Sequence, residues 1–237
     1  MVMGAVGSTT LDIVAESAPP RAAALVLSGV HKSYGPRAVL AGADLAVESG
    51  TLVSITGANG AGKTTLLRLA AGLLAPDSGR VTVCGLDSES DGGAYRSRIG
   101  FMSAGDRGLY PRLTVARNLE FAARLGMLER RRLRPAVDEA IDRFGLGELA
   151  GRRADRLSTG QRQRVRLAAS LIHGPDLVLL DEPANSLDDA GIASLADALA
   201  DITLRGGAVV SCVPSGAELT LPADRRYAVR DGVLEPA

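Results

Sequence analysis

The sequence predicts an α/β fold: a mostly parallel sheet core, a small antiparallel β region ahead of it, and an α-helical subdomain inserted into it. Three observations carry this expectation. Short apolar runs at 24–27, 39–41 and 45–47 come first, separated by turn signals at Tyr34-Gly35-Pro36 and Glu48-Ser49-Gly50. Compact apolar strands then alternate with helical spacing, 52–55 before 63–74 and 177–180 before 192–200, as parallel strands with crossovers require. Between these halves, 114–125 and 135–144 carry the helical period one after the other.

The elements follow in chain order. After the antiparallel runs, Leu52-Val53-Ser54-Ile55 leads straight into a glycine-rich turn and an apolar helix over 63–74, stopped by Pro76. Strands are expected at 80–84 and 98–102. Thr114 is a fitting N-cap for the first inserted helix. From Ser158 the pattern returns to helix (161–172, closed by Gly174-Pro175), buried strand (177–180), helix (192–200) and strand (208–212). Residues 1–21 read as a flexible extension and 22–237 as one domain, its helical subdomain at about 104–160.

Composition narrows the function. With 237 residues, 46% of them hydrophobic, the chain can bury a substantial core. Lys and Arg number 27 and so do Asp and Glu, so no net pull toward nucleic acid is expected. The run Arg130-Arg131-Arg132-Leu133-Arg134 reads as a solvated face. The cysteines, Cys84 and Cys212, stand alone inside apolar runs, without metal-site or disulfide spacing, which fits a reducing cytoplasm. No apolar run approaches the roughly 20 residues needed to cross a bilayer, and 1–20 lacks the charge and apolar pattern of a secretory leader.

Gly57-Ala58-Asn59-Gly60-Ala61-Gly62-Lys63-Thr64 fits G-x-x-x-x-G-K-[ST] and sits between an expected strand and helix, the context the motif requires. This is the phosphate cradle of a P-loop NTPase. Its glycines let successive backbone N–H groups turn inward, and the helix N-terminus adds positive potential. Lys63 reaches the β- and γ-phosphates, and Thr64 offers its hydroxyl to magnesium. The nucleotide-binding candidates here are Gly57, Asn59, Gly60, Ala61, Gly62, Lys63, Thr64 and Thr65.

Leu177-Val178-Leu179-Leu180-Asp181-Glu182-Pro183 is a buried strand that emerges into two carboxylates at the end where open α/β sheets bind ligands. Asp181 would hold magnesium, and Glu182 would orient and polarise the water that attacks the γ-phosphate. Lys63, Asp181 and Glu182 are thus the catalytic candidates, with Thr64 and Asp181 as metal ligands. Taken alone, Asp-Glu-Pro also reads as an ordinary acidic strand end.

Leu157-Ser158-Thr159-Gly160-Gln161 follows the helical insert and opens an Arg-rich helix ahead of the Asp181 strand. This order of motifs resembles the ATP-binding cassette family, and the resemblance covers nearly everything from Leu25 to Val233. The pentapeptide resembles the family signature, which caps the γ-phosphate of ATP held by a partner in a head-to-tail dimer. That implies roles for Ser158, Gly160 and Gln161, although a plain Ser-capped helix fits the same residues. Tyr34 sits where the family places an aromatic that stacks on adenine, a contact of about 1–3 kcal/mol by analogy with base stacking; alone, it equally fits a core tyrosine. Asn185-Ser186-Leu187-Asp188 resembles the loop that crosses the dimer interface, which brings in Asp188. Residues 109–115, with Asn118-Leu119, look like the family segment leading into the helical subdomain.

Two family residues are missing. Ala104 stands where the family carries a glutamine touching magnesium and the attacking water, with Asp106 as a nearby substitute. Val213 stands near the place of the switch histidine, and whether Asp106, Ser211 or an altered partner subunit makes up for the gaps is left open by the resemblance. The chain's histidines, His31 and His173, fall elsewhere and read as structural. The gaps imply tight binding with slow turnover.

The resemblance implies a subunit that binds ATP and magnesium and works peripherally on the inner face of the cell membrane. Its implied partners are transmembrane permease subunits and a second nucleotide-binding subunit, the same or different. The 109–114 stretch looks like exporters of drugs, antibiotics or lipid-linked molecules. A non-transport cassette ATPase would usually carry a long coiled-coil insert or a second cassette, and the stretch between Lys63 and Leu157 is too short for the first. An ATP-gated regulator with weak hydrolysis is the further alternative left by the missing glutamine and histidine.

Overall fold

The structure is a computed structural model that describes residues 22–105, 107–216 and 222–237. The extension expected at 1–21 and the substitute Asp106 lie outside the described residues.

Strands β1 (Ala23–Tyr34) and β2 (Arg37–Glu48) open the chain as a long antiparallel hairpin. Sequence reading broke this hairpin into three short runs because polar Ser28, His31 and Lys32 interrupt β1 and Gly42 and Asp44 interrupt β2. Those residues coincide with irregular register, which bends the strands without ending them. Strand β3 (Leu52–Thr56) follows and is buried throughout, as a central parallel strand covered on both faces must be. Helix α1 (Lys63–Ala70) is shorter than the expected 63–74: the chain turns at Gly72, where φ is 63°, before it reaches Pro76.

Strands β4 (Ser78–Val83) and β5 (Leu86–Asp87), helix α2 (Gly92–Ser97) and strand β6 (Ile99–Met102) come next. Helices α3 (Val115–Leu125) and α4 (Arg130–Arg143) then pack against each other. Thr114 caps α3 as expected, accepting a hydrogen bond from the Arg117 amide at 3.3 Å. Helix α5 (Thr159–Leu171), strand β7 (Leu177–Asp181), helix α6 (Asp189–Leu204) and strand β8 (Ala208–Cys212) restore the α/β alternation, and β9 (Arg225–Arg230) and β10 (Val233–Pro236) close the chain.

Two sheets result. One is antiparallel, in the order β2-β1-β4-β5; the other runs β10-β9-β3-β8-β7-β6 and is parallel except at its β9-β10 edge. Strand β7 shows how the larger sheet separates two cores. Leu177 and Leu179 face a cluster shared with α1 and the antiparallel sheet, while Val178 and Leu180 face a cluster built with α3, α4, α5 and α6. Because β3, β7 and β8 are parallel neighbours, their C-terminal ends meet along one rim. The glycine-rich loop and the Asp181-Glu182 pair both lie on that rim.

Candidate functional site

The cradle begins where β3 ends and closes where α1 starts. Gly62 caps α1 in the left-handed region with φ at 111°, and it offers no side-chain cap. The first turn of α1 carries no acidic residue, so the positive end of the helix is not offset locally. Lys63 is only 6% exposed, and its ammonium donates to the carbonyls of Gly57 at 2.5 Å and Ala58 at 3.1 Å. The loop is tightened by the Ala61 amide donating to the Ala58 carbonyl at 3.1 Å.

Separated by 117 positions in sequence, Thr64 and Asp181 meet directly: the threonine hydroxyl donates to the carboxylate at 2.7 Å. Asp181 is 2% exposed. Glu182 follows with its backbone at φ 52°, a conformation that costs a non-glycine residue energy and has to be held in place. Its amide donates to the Cys212 carbonyl at 2.8 Å, and its carboxylate accepts from the Asn185 amide group at 2.9 Å. A hydroxyl and a carboxylate form a hard-oxygen donor pair. Magnesium fits it, since that ion is commonly held by one or two protein oxygens together with phosphate and water.

Of the sequence-derived candidates, Asn59, Gly60, Gly62, Lys63, Thr64, Thr65, Asp181 and Glu182 line one cleft of about 360 Å³. Gly57 and Ala61 support the loop from behind: a β-carbon built on Gly57 would lie 3.1 Å from the Val229 carbonyl and 3.4 Å from the Ala61 methyl. Tyr34 sits at the end of the hairpin, 49% exposed and paired with Arg37. Arg37 itself lines the cleft, and its guanidinium donates to the Gly60 carbonyl at 3.3 Å. Sequence reading took this stretch for a turn and missed Arg37, and it missed the support that Asn185 gives Glu182.

Cys212 closes the floor, its sulfur 3.9 Å from the Lys63 carbonyl. Burial, reinforced by the Asp181 carboxylate, pushes its thiol well up, so it stays a neutral packing group. Ser211 lies on the opposite face of β8 from Cys212, and its hydroxyl is buried without a partner. It therefore points away from the floor that Cys212 closes. Val213 is buried, and its amide donates to the Ile55 carbonyl at 3.0 Å. Neither histidine approaches the cleft: His31 bonds the Gly29 carbonyl and His173 the Ile99 carbonyl.

The second group of candidates lies outside this cleft. Ser158 caps α5 in a reciprocal box: its hydroxyl accepts from the Gln161 amide at 3.2 Å, and the Gln161 side chain accepts from the Ser158 amide at 2.9 Å. A β-carbon on Gly160 would lie 2.8 Å from the Ser186 carbonyl, so the pentapeptide and the 185–188 loop are packed together. Asp188 caps α6 by accepting from the Gly191 amide at 2.9 Å.

The ABC transporter family model matches residues 40–185. The chain is 38% identical to the daunorubicin resistance ATP-binding protein DrrA3 of Streptomyces coeruleorubidus over 88% of its length and 66% of that protein's. It is 41% identical to the Fe(3+) ions import ATP-binding protein FbpC of Mesorhizobium japonicum, over 88% of this chain and 58% of the relative. It therefore spans about three fifths to two thirds of these curated relatives. A dimeric ATP-binding cassette solved in a post-hydrolysis state with ADP and Pi superposes with a TM-score of 0.79 at 26% identity, covering 89% of this chain and 96% of the other. Among the described residues, no helix is long and apolar enough to cross a membrane.

Proposed function

This chain belongs to the ABC transporter family and carries its ATP-binding domain, and on that premise we propose that it binds and hydrolyses ATP to drive a membrane-embedded partner. The observation that carries the proposal is the 2.7 Å bond between Thr64 and Asp181, which joins the cradle to the strand that presents Glu182. In this reading Lys63, the glycine-loop amides and Arg37 hold the phosphates. Thr64 and Asp181 would hold magnesium, which when bound supplies charge neutralisation on the β- and γ-phosphates. Glu182, steadied by Asn185, orients the attacking water and accepts its proton.

The rest of the proposal follows from the second group of residues. Ser158, Gly160, Gln161 and Asp188 belong to a surface that meets a second nucleotide-binding subunit, so ATP draws two subunits together and hydrolysis releases them. The helical subdomain at about 104–160 within a 22–237 domain receives the permease on the inner membrane face. Export of drugs or lipid-linked molecules is the direction we favour, supported by the resistance relative; the iron-import relative represents the competing direction.

A specific feature favours a second reading, a regulator gated by ATP with weak hydrolysis. Ala104 and Val213 carry no polar side chain where the family places its glutamine and histidine, and losing one transition-state hydrogen bond costs about 3–4 kcal/mol, or 10²- to 10³-fold in rate. Steady-state ATPase assays of the full chain, alone and with its membrane partner, separate the two. A motor shows turnover that falls about 10²- to 10³-fold in Glu182→Gln while ATP binding persists. Turnover equal in both forms rejects Glu182 as the base, and ATP binding with little or no turnover in the unaltered chain leaves the regulator.

A further inference from the structure

Helix α5 carries an arginine deep in the protein, and none of the roles above uses it. Arg166 is 5% exposed, and among the described residues its guanidinium reaches three acceptors, two on the loop after β6 and one on α5 itself. Its Nε donates to the Arg107 carbonyl at 2.7 Å, one terminal nitrogen donates to the Ser103 carbonyl, and the other donates to the Gln163 side-chain oxygen at 2.7 Å. Gln163 is buried as well and spends its amide nitrogen on the Pro183 carbonyl at 3.0 Å. A continuous chain of hydrogen bonds thus runs from the loop after β6, through α5, to the residue immediately after Glu182.

A buried cation has to be fully bonded to be tolerated, and a planar fork can satisfy three divergent acceptors where an ammonium cannot. The far end of the chain matters because Glu182 holds a left-handed backbone, which persists only when its neighbours over-determine it. On one side that restraint comes from the Cys212 carbonyl, and on the other from the bond at Pro183.

We propose that Arg166 is a positioning residue for ATP hydrolysis: through Gln163 it ties the Ser103 and Arg107 carbonyls to the carbonyl of Pro183, which follows Glu182, so that a displacement of those two residues is felt at Glu182. The proposal rests on the hydrolytic reading of this site. Arg166 does not line the cleft formed by the glycine loop, Asp181 and Glu182, so its effect falls on turnover rather than on affinity.

Two variants test this in the full chain, with ATP affinity, KM, kcat and unfolding midpoint measured for each. Arg166→Lys keeps the charge but cannot span the three acceptors. Gln163→Glu keeps an oxygen for Arg166 but has no donor for the Pro183 carbonyl, so it cuts only the last link while leaving the buried cation paired. The expected result is a kcat about 10- to 100-fold lower in both, as misplacement by about 1 Å can produce. ATP affinity should stay within about twofold, and the unfolding midpoint of Gln163→Glu should stay close to that of the unaltered chain. Unchanged kcat in Gln163→Glu, or a loss expressed entirely as weaker ATP binding, overturns the assignment. Should Arg166→Lys fail to fold, Gln163→Glu carries the test alone. If the unaltered chain turns ATP over and the variants match it, only this inference falls; if the unaltered chain binds ATP without turnover, the hydrolytic reading falls and takes this one with it.

Discussion

At Gly62 the backbone sits at φ 111°, and a β-carbon built there would lie 2.8 Å from the Val39 carbonyl. Both facts forbid a side chain, one through torsional strain and the other through contact with backbone that cannot give way. Gly62→Ala is therefore expected to cost about 1–3 kcal/mol of stability and to weaken nucleotide binding by shifting the start of α1. Denaturant unfolding beside ATP titration checks this, and an alanine variant as stable as the parent would show that the loop relaxes freely. The cradle, including Lys63, Thr64, Asp181 and Glu182, was legible in the sequence because each residue sits at a fixed offset inside a strand-loop-helix context. Arg37, Asn185 and Arg166 were not legible. Their partners, the Gly60 carbonyl, the Glu182 side chain, and the Ser103 and Arg107 carbonyls, are joined to them by turn and loop geometry that no residue spacing encodes.

Helix α5 spans from the Ser158 cap to the His173 that follows it, and its far end is tied to β6 through the bond to the Ile99 carbonyl at 3.1 Å. Burial lowers the His173 pKa, and the second ring nitrogen is buried without a partner. The folded state thus favours the neutral ring, while the unfolded chain takes up a proton near pH 6.5. The associated stability is complete above about that pH and is lost as the pH falls from there toward the lowered folded value. His173→Gln retains an amide donor for Ile99 and cannot titrate, so the fall in unfolding midpoint from pH 7 to pH 5 should be smaller than in the parent. Equal slopes would exclude His173 as the titrating group. At this scale the sequence was a partial guide. Helix α4 begins at Arg130 instead of near Pro135, and Pro135 lies inside it, where the helix continues with one backbone hydrogen bond fewer. Strands β9 and β10 escaped notice because exposed arginines and the Asp231-Gly232 turn interrupt a short edge pattern, and it is pairing with β3 that fixes β9.

The larger sheet turns remote sequence motifs into one site. Parallel pairing of β3, β8 and β7 delivers the glycine loop, the 212–213 turn and the Asp181-Glu182 pair to a single rim, with a separate hydrophobic core on each face holding the register. The α/β class and the order of its elements could be read from alternation alone, since buried parallel strands and amphipathic helices have different periods. The pairing of sheets could not, because strand order across the β3-β8-β7 crossovers depends on tertiary contacts. The reading proposed for the whole molecule is electrostatic: loop amides and Lys63, closed by Thr64 and Asp181, would hold a triphosphate with its magnesium. Titration calorimetry of the full chain with ATP at millimolar magnesium tests it most directly. Saturable ATP binding is expected, weakened at least about tenfold in Lys63→Ala as charge-assisted hydrogen bonds are lost. No binding by the unaltered chain, or equal affinity in the two, would contradict it.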